Sequence, residues 1–286
     1  MPELPEVEVL VRHLDPLLRG KRIRGVTVGR AKIVRPETSA TLADRLVGAT
    51  FGATTRRAKY LLFDLRHGTR SEPFSVVGHL GMTGRMFLQP ASAPLPKHTA
   101  VSIDLGEQRF VFEDQRCFGR FNLDRAPLAE LGPEPLSDDF TADAFSEALG
   151  RSSQAVKVKL LDQSLVAGIG NIYASEALFL AGISPLRRAR SLGREEIGRL
   201  RDRVREVLAD AIRFGGSVPL DWSGAGKGHA LFYYGAKETG PATRSAEERF
   251  AVYGRDGEPC TRCSGEVVRC VQAGRSTFHC PRCQLA

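Results

Sequence analysis

The chain has 286 residues, with 41 lysines and arginines against 33 aspartates and glutamates, and the resulting formal charge of +8 favours an anionic partner. Hydrophobic residues make up 42% and charged residues 26%, with glycine and proline spread along the chain, which excludes fibrous and extensively disordered classes. The length is about twice that of a usual domain, so more than one core is expected. No apolar run reaches the ~18 residues of a membrane span. The start MPELPEVEVL carries acids where a secretory leader carries a basic region, so a cytoplasmic protein with no membrane partner is expected.

In chain order, Val7, Leu10, Leu14, Leu17 and Leu18 recur at helical spacing and Gly20 follows, which predicts a helix from Pro5 to Leu18. Short strand-like runs come next: Ile23 to Val28, Tyr60 to Leu65, Phe74 to Val77, Arg85 to Leu88, Val101 to Leu105, Phe110 to Glu113 and Phe121 to Leu123. Many short strands point to a sandwich or a barrel. The proline- and acid-rich stretch from Leu131 to Asp139 marks a domain boundary. Beyond it the period turns helical, with Ile197, Leu200, Val204, Val207, Leu208, Ala211 and Ile212 on one face, Ser191 as the expected cap and Gly215 and Gly216 as the stop.

Four of the six cysteines lie in the last 27 residues, as Cys260-x-x-Cys263 and Cys280-x-x-Cys283 with sixteen residues between the pairs. Two such knuckles wrap one tetrahedral zinc with four thiolates and leave no position for water, so the metal is structural and holds a hairpin. So small a module draws much of its folding free energy from ligation. Cys270 and His279 are bystanders. Arg255, Arg262, Arg269, Arg275 and Arg282 surround the ligands, which makes the hairpin a phosphate-contacting finger or, for any one arginine, a solvated surface charge. On residues alone, the chain is a nucleic-acid-binding protein.

Met1-Pro2-Glu3-Leu4-Pro5-Glu6 places two carboxylates beside a residue small enough to become the amino terminus. A freed Pro2 nitrogen is a secondary amine able to attack a sugar C1′ and form an iminium. The competing reading is helix-entry chemistry, with proline in the first turn and acids at the positive dipole end. Further blocks bear on the choice: Arg57-Ala58-Lys59-Tyr60-Leu61-Leu62, His79-Leu80-Gly81-Met82-Thr83-Gly84, Gly168-Ile169-Gly170-Asn171-Ile172-Tyr173-Ala174-Ser175-Glu176, and Arg275 to Gln284. Together and in this order they span nearly the whole chain, which closely resembles the bacterial formamidopyrimidine-DNA glycosylases.

The resemblance implies an α+β multidomain protein: an N-terminal β-sandwich with flanking helices over residues 1–133, a helical helix-two-turns-helix part with a lesion-capping loop over 134–249, and a four-cysteine zinc-finger β-hairpin over 250–286. It implies a base-excision repair enzyme that removes oxidised purines from damaged double-stranded DNA and nicks the abasic site by β- and δ-elimination. One structural zinc and no organic cofactor are implied. The nucleophile maps onto Pro2, the acid that protonates the sugar ring oxygen onto Glu3, and a supporting acid onto Glu6. Lys59, His79 and Arg275 match phosphate contacts. Asn171 heads the helix Ile172 to Ala181 and is expected to cap it, while the glycine turn before it exposes backbone N–H groups to a phosphate. Met82, Arg116 and Phe118 match the residues that fill the stack once a nucleotide is rotated out, a plug, a donor to the orphaned cytosine and a wedge; core packing is the competing reading for Met82 and Phe118.

Two departures stand out. Cys117 sits where the family usually has a basic or aromatic residue, and Gly215 to Tyr253 is longer than usual. Within that segment Ser223-Gly224-Ala225-Gly226-Lys227-Gly228 fails as a phosphate loop, because Gly228 stands where serine or threonine is needed. It reads instead as a flexible lesion-capping loop. The alternatives are an endonuclease VIII-like enzyme acting on oxidised pyrimidines, against which Leu4, Met82, Arg116 and Phe118 argue, and a non-catalytic binding protein, which has no need of Pro2, Glu3 and Lys59 together. Nothing in the sequence points to an oligomer, so a monomer is expected.

Overall fold

The computed structural model describes residues 2–68, 72–216 and 250–285. The N-terminal helix α1 (Leu4–Leu18) turns Leu4, Val7, Leu10, Leu14 and Leu18 inward, at the spacing that the sequence displays. After Gly20, in the left-handed region at φ 80°, come strand β1 (Gly25–Val28), a 3-10 turn and helix α2 (Ser39–Leu46), whose first turn is capped by Thr38. Seven strands follow: β2 (Thr50–Arg57), β3 (Tyr60–Arg66), β4 (Phe74–His79), β5 (Arg85–Pro90), β6 (Thr99–Asp104), β7 (Gln108–Glu113) and β8 (Arg120–Asn122).

These strands form two antiparallel four-stranded sheets, in the orders β2-β3-β4-β8 and β1-β6-β7-β5. Their inner faces share one core, in which Phe63 of one sheet packs edge-on against Phe110 of the other at 5.6 Å between ring centroids. The arrangement is a sandwich, not a barrel. Strands β2 and helix α2 have no counterpart in the sequence reading. Thr50-Phe51-Gly52-Ala53-Thr54-Thr55-Arg56-Arg57 carries too few apolar residues to signal a strand, and it forms because its backbone pairs with β3 on either side of an irregularity between Phe51 and Thr54.

A short helix α3 (Ala126–Ala129) precedes α4 (Ala142–Gly150, capped by Thr141), α5 (Val156–Leu160), α6 (Asn171–Ala181) and α7 (Arg194–Gly216). The last element is a hairpin of β9 (Val268–Gln272) and β10 (Arg275–His279). Its two-residue turn has both Ala273 and Gly274 at positive φ, the geometry that matches the natural strand twist. The described residues before 130, with 215 and 216, form one compact unit, and the remainder form a second. The second has a helical core around Tyr173, Leu178, Leu200, Val204 and Leu208 and a smaller cluster under the cysteines.

Two helix starts differ from expectation. Ser191 does not cap α7: it belongs to a 3-10 turn and its Oγ donates to the Arg188 carbonyl, while the Gly193 N–H is taken by Glu196 Oε2 at 2.9 Å. Glu196 does this because it already reaches back to pair with Arg187. In α6 the cap position falls on Gly170, and Asn171 is the first helical residue. No helix among the described residues is long and apolar enough to cross a membrane.

Candidate functional site

In the first unit the head of α1 is enclosed. Pro2, Glu3 and Glu6 are buried, and Glu3 is only 2% exposed. Glu3 stands at the cap position, where its backbone N–H donates to Glu6 Oε2 at 2.8 Å and the two residues close a capping box. The helix-entry reading of these acids and the chemical one are therefore compatible: the hydrogen bonds that start the helix also hold both carboxylates beside Pro2.

Lys59 is buried and lies in the two-residue turn between β2 and β3, because Arg57 pairs directly with Tyr60. Ala58, at φ 54°, takes the left-handed conformation that the turn demands. Arg56 braces this turn from below, with Nε on Glu8 Oε2 at 2.7 Å and Nη1 on the Ala58 carbonyl at 3.0 Å, so α1 and the turn share one ion pair. Cross-strand pairing then sets Tyr60 beside His79 and His79 beside Arg120. Burial, together with the charges of Lys59 and Arg120, holds the His79 imidazole down to about 4. His79 Nδ1 accepts the Gly81 N–H at 3.1 Å, so the neutral ring carries its proton on Nε2 and is a donor, not a cation. Arg56 and Arg120 escaped the sequence reading; only strand register brings them here.

Two turns project beyond this cluster. Met82 (43% exposed) and Phe118 (47%) are among the most exposed large apolar side chains, which rules out core packing for both. Arg116 stacks on the Phe118 ring at 4.8 Å, and the Lys32 ammonium lies 5.5 Å from the same ring. Cys117 is half-buried, at φ 52°, with its thiol on the Asp114 carbonyl.

In the second unit Asn171 does not cap its helix. Its Oδ1 accepts from Lys157 Nζ at 2.7 Å and its Nδ2 donates to the Ser276 carbonyl at 2.9 Å, joining α6 to β10. Lys157, only 1% exposed, also donates to the Ser276 carbonyl and to Thr277 Oγ1, so the hairpin is bolted to the helices by an ammonium that the sequence did not flag. Glu176, buried in α6, accepts the N–H groups of Ala251, Val252 and Tyr253 and anchors the approach to the cysteines. Arg275 is exposed at the hairpin turn. Arg255 and Arg262 are committed to backbone carbonyls instead of a free basic face; Arg262 closes the end of α6 through Phe179 and Leu180.

Cys260, Cys263, Cys280 and Cys283 bring their sulfurs within 4.8 Å of one another, with the cross pairs 3.8 and 3.5 Å apart. Four thiolates at ~2.3 Å from a tetrahedral zinc are separated by about 3.8 Å, so the residues fit the metal. Burial and the neighbouring sulfurs push the Cys283 thiol up to about 12 when no cation is bound, and a divalent cation supplies the charge that allows the four to ionise together. Cys270 lies on β9 outside this set.

Three family descriptions match in order: the formamidopyrimidine-DNA glycosylase N-terminal domain over residues 1–121, the helix-two-turns-helix domain of the same enzymes over 131–220, and the zinc finger found in these enzymes and in IleRS over 257–286. The formamidopyrimidine-DNA glycosylase of Carboxydothermus hydrogenoformans is 40% identical over 284 residues, covering 99% of this chain and 100% of its own. That of Dechloromonas aromatica is 42% identical over 294 residues, with 99% and 100% covered. The chain belongs to the formamidopyrimidine-DNA glycosylase family. Among solved structures, the Lactococcus lactis formamidopyrimidine-DNA glycosylase bound non-covalently to DNA containing an AP site matches with a TM-score of 0.84 and 32% identity, over 99% of this chain and 100% of that one. A MutM complex with DNA containing carbocyclic 8-oxo-G matches equally, with a TM-score of 0.84 and 32% identity over 100% of both chains. The family's zinc finger and the four-sulfur cluster agree on one structural zinc. The lesion-capping loop expected within Gly215 to Tyr253 lies, from residue 217 to 249, outside the described residues.

Proposed function

We propose that this chain is a DNA glycosylase of base-excision repair that removes oxidised purines from duplex DNA and cleaves the abasic site through a Schiff base. The family membership supports the reaction class, and the enclosed head of α1 carries the assignment of residues: a buried proline with two carboxylates fixed beside it by the capping box. With Met1 removed, the Pro2 secondary amine attacks C1′, the bond from C1′ to the base breaks, and the departing base takes up a proton. Glu3 gives a proton to the sugar ring oxygen as the ring opens to the iminium, and Glu6 fixes Glu3 through its backbone N–H. Loss of a proton from C2′ expels the 3′ phosphate, a second elimination expels the 5′ phosphate, and hydrolysis frees Pro2.

Lys59, His79, Asn171 and Arg275 hold phosphates, with His79 as a neutral Nε2–H donor. Met82, Arg116 and Phe118 enter the vacated stack, and their exposure supports that role. The chemistry and the stack-filling contacts belong to residues 1–133, further phosphate contacts come from 134–249 and 250–286, and the partner is damaged double-stranded DNA, bound by a monomer in the cytoplasm, where the chromosome lies. Borohydride added to a mixture of the protein, with Met1 removed, and duplex DNA holding 8-oxoguanine opposite cytosine is expected to leave a covalent adduct on Pro2. An adduct formed only with an oxidised pyrimidine would assign the endonuclease VIII-like specificity, and tight binding with no adduct on any lesion or abasic site would remove the catalytic reading.

A further inference from the structure

Asp114 is fully buried and follows β7, directly before the turn that carries Arg116 and Phe118. Both of its carboxylate oxygens are spent on turn geometry. Oδ1 accepts the Thr83 hydroxyl at 2.6 Å and the Arg116 backbone N–H at 3.1 Å, and Oδ2 accepts the Gly119 N–H at 2.8 Å. Thr83 is the neighbour of Met82. One buried carboxylate thus spans two turns that are 31 residues apart in sequence and that carry all three exposed stack-filling side chains.

Sterics make the same junction tight. Gly81 has φ 62°, and a Cβ there would lie 2.6 Å from the Phe118 carbonyl carbon; a Cβ on Gly119 would lie 2.8 Å from the His79 carbonyl oxygen and 3.1 Å from Asp114 Oδ2. The two turns therefore touch backbone to backbone, with Asp114 and the Thr83 hydroxyl, which also accepts the Arg116 N–H at 3.4 Å, as the polar contacts between them.

We infer that Asp114, through Thr83, is a positioning residue that locks the Met82 turn and the Arg116 to Phe118 turn into a single rigid wedge, so that plug, reader and spacer enter the DNA stack together. The inference rests on the stack-filling reading of Met82, Arg116 and Phe118. Intercalating side chains have to displace stacked bases, and they do so only if their backbone does not yield. A neutral amide at position 114 would set an N–H against the Gly119 N–H or, turned over, against the Arg116 N–H. A methyl in place of the Thr83 hydroxyl would cut both side-chain links between the turns, the bond to Asp114 and the longer one from the Arg116 N–H at 3.4 Å, while leaving the bonds from Asp114 to the Arg116 and Gly119 N–H groups intact.

The test compares full-length, zinc-loaded Thr83→Val, Thr83→Ser, Asp114→Asn and Phe118→Ala proteins. The substrates are duplexes with 8-oxoguanine opposite cytosine or adenine, with 2-aminopurine beside the lesion to report opening of the stack. Thr83→Val is expected to lower excision opposite cytosine about tenfold, to slow the 2-aminopurine signal and to narrow the preference for cytosine, with Asp114→Asn lower still and Thr83→Ser restoring all three. Borohydride trapping of Thr83→Val on a preformed abasic site in single-stranded DNA, where no stack has to be filled, is expected to fall by about twofold at most. Equal losses in both assays, with no recovery in Thr83→Ser, would reduce Asp114 to a folding role and overturn the inference. Wild-type behaviour of Thr83→Val and Asp114→Asn beside a defective Phe118→Ala overturns it too, while the stack-filling reading stands. Wild-type behaviour of all four variants removes both.

Discussion

His79 illustrates how a residue's chemistry follows from its neighbours. An imidazole with an ordinary value of 6.5 is held down to about 4 by burial, then by Lys59 and Arg120, so at pH 7 the ring is neutral and offers a hydrogen-bond donor instead of a charge. Because the folded state resists protonation more than the unfolded chain, the stability tied to His79 is complete above 6.5 and is lost as pH falls through about 4. A histidine NMR titration is expected to place the His79 inflection near 4, and His79→Asn is expected to lessen acid destabilisation between these values; an inflection at 6.5 would contradict the burial argument. Glu3 sets the complementary case. Glu3→Gln keeps shape and the capping position but loses the proton donor, so lesion-DNA affinity is expected to stay within about twofold while base excision drops by a factor on the order of 10²–10⁴. Gel-shift and single-turnover assays on the same protein check both halves, and normal excision would remove Glu3 from the chemistry.

At the scale of elements, the zinc hairpin depends on two fastenings. The four thiolates close it internally, and Lys157 with Asn171 ties β10 to α6 through Ser276 and Thr277. Replacing Lys157 by methionine leaves several buried acceptors unpaired, which is expected to cost about 2–4 kcal/mol, seen as a lower unfolding midpoint of the second unit. Chelation of zinc is expected to unfold the hairpin and weaken DNA binding without altering Pro2, Glu3 or Lys59. Unchanged affinity after confirmed metal removal would separate the hairpin from DNA binding.

For the whole molecule the controlling quantity is charge. A net +8 makes counterion release a large share of binding, so the logarithm of affinity is expected to fall linearly with the logarithm of salt concentration. Arg275→Ala, which removes an exposed charge at the hairpin tip, is expected to reduce that slope by about one. Fluorescence anisotropy over a salt series measures both, and a flat dependence would exclude the basic surface as a DNA face.

Much of this protein is determined by its sequence alone. The periodicity of α1 and α7, the β-rich first half and the paired cysteines follow from local patterns, since apolar spacing and metal-ligand spacing are properties of neighbouring residues. Blocks such as MPELPE and HLGMTG carry the family resemblance. Tertiary structure alone decided what depends on residues far apart in the chain. It put Lys59 in a turn braced by Glu8 and Arg56, made His79 a neutral donor, took Asn171 away from capping to join β10, and gave the buried charges of Asp114, Lys157 and Glu176 their partners. A buried charge is stable only where the fold delivers matching donors or acceptors, and strand register and helix packing, which deliver them, exist only once the chain has folded.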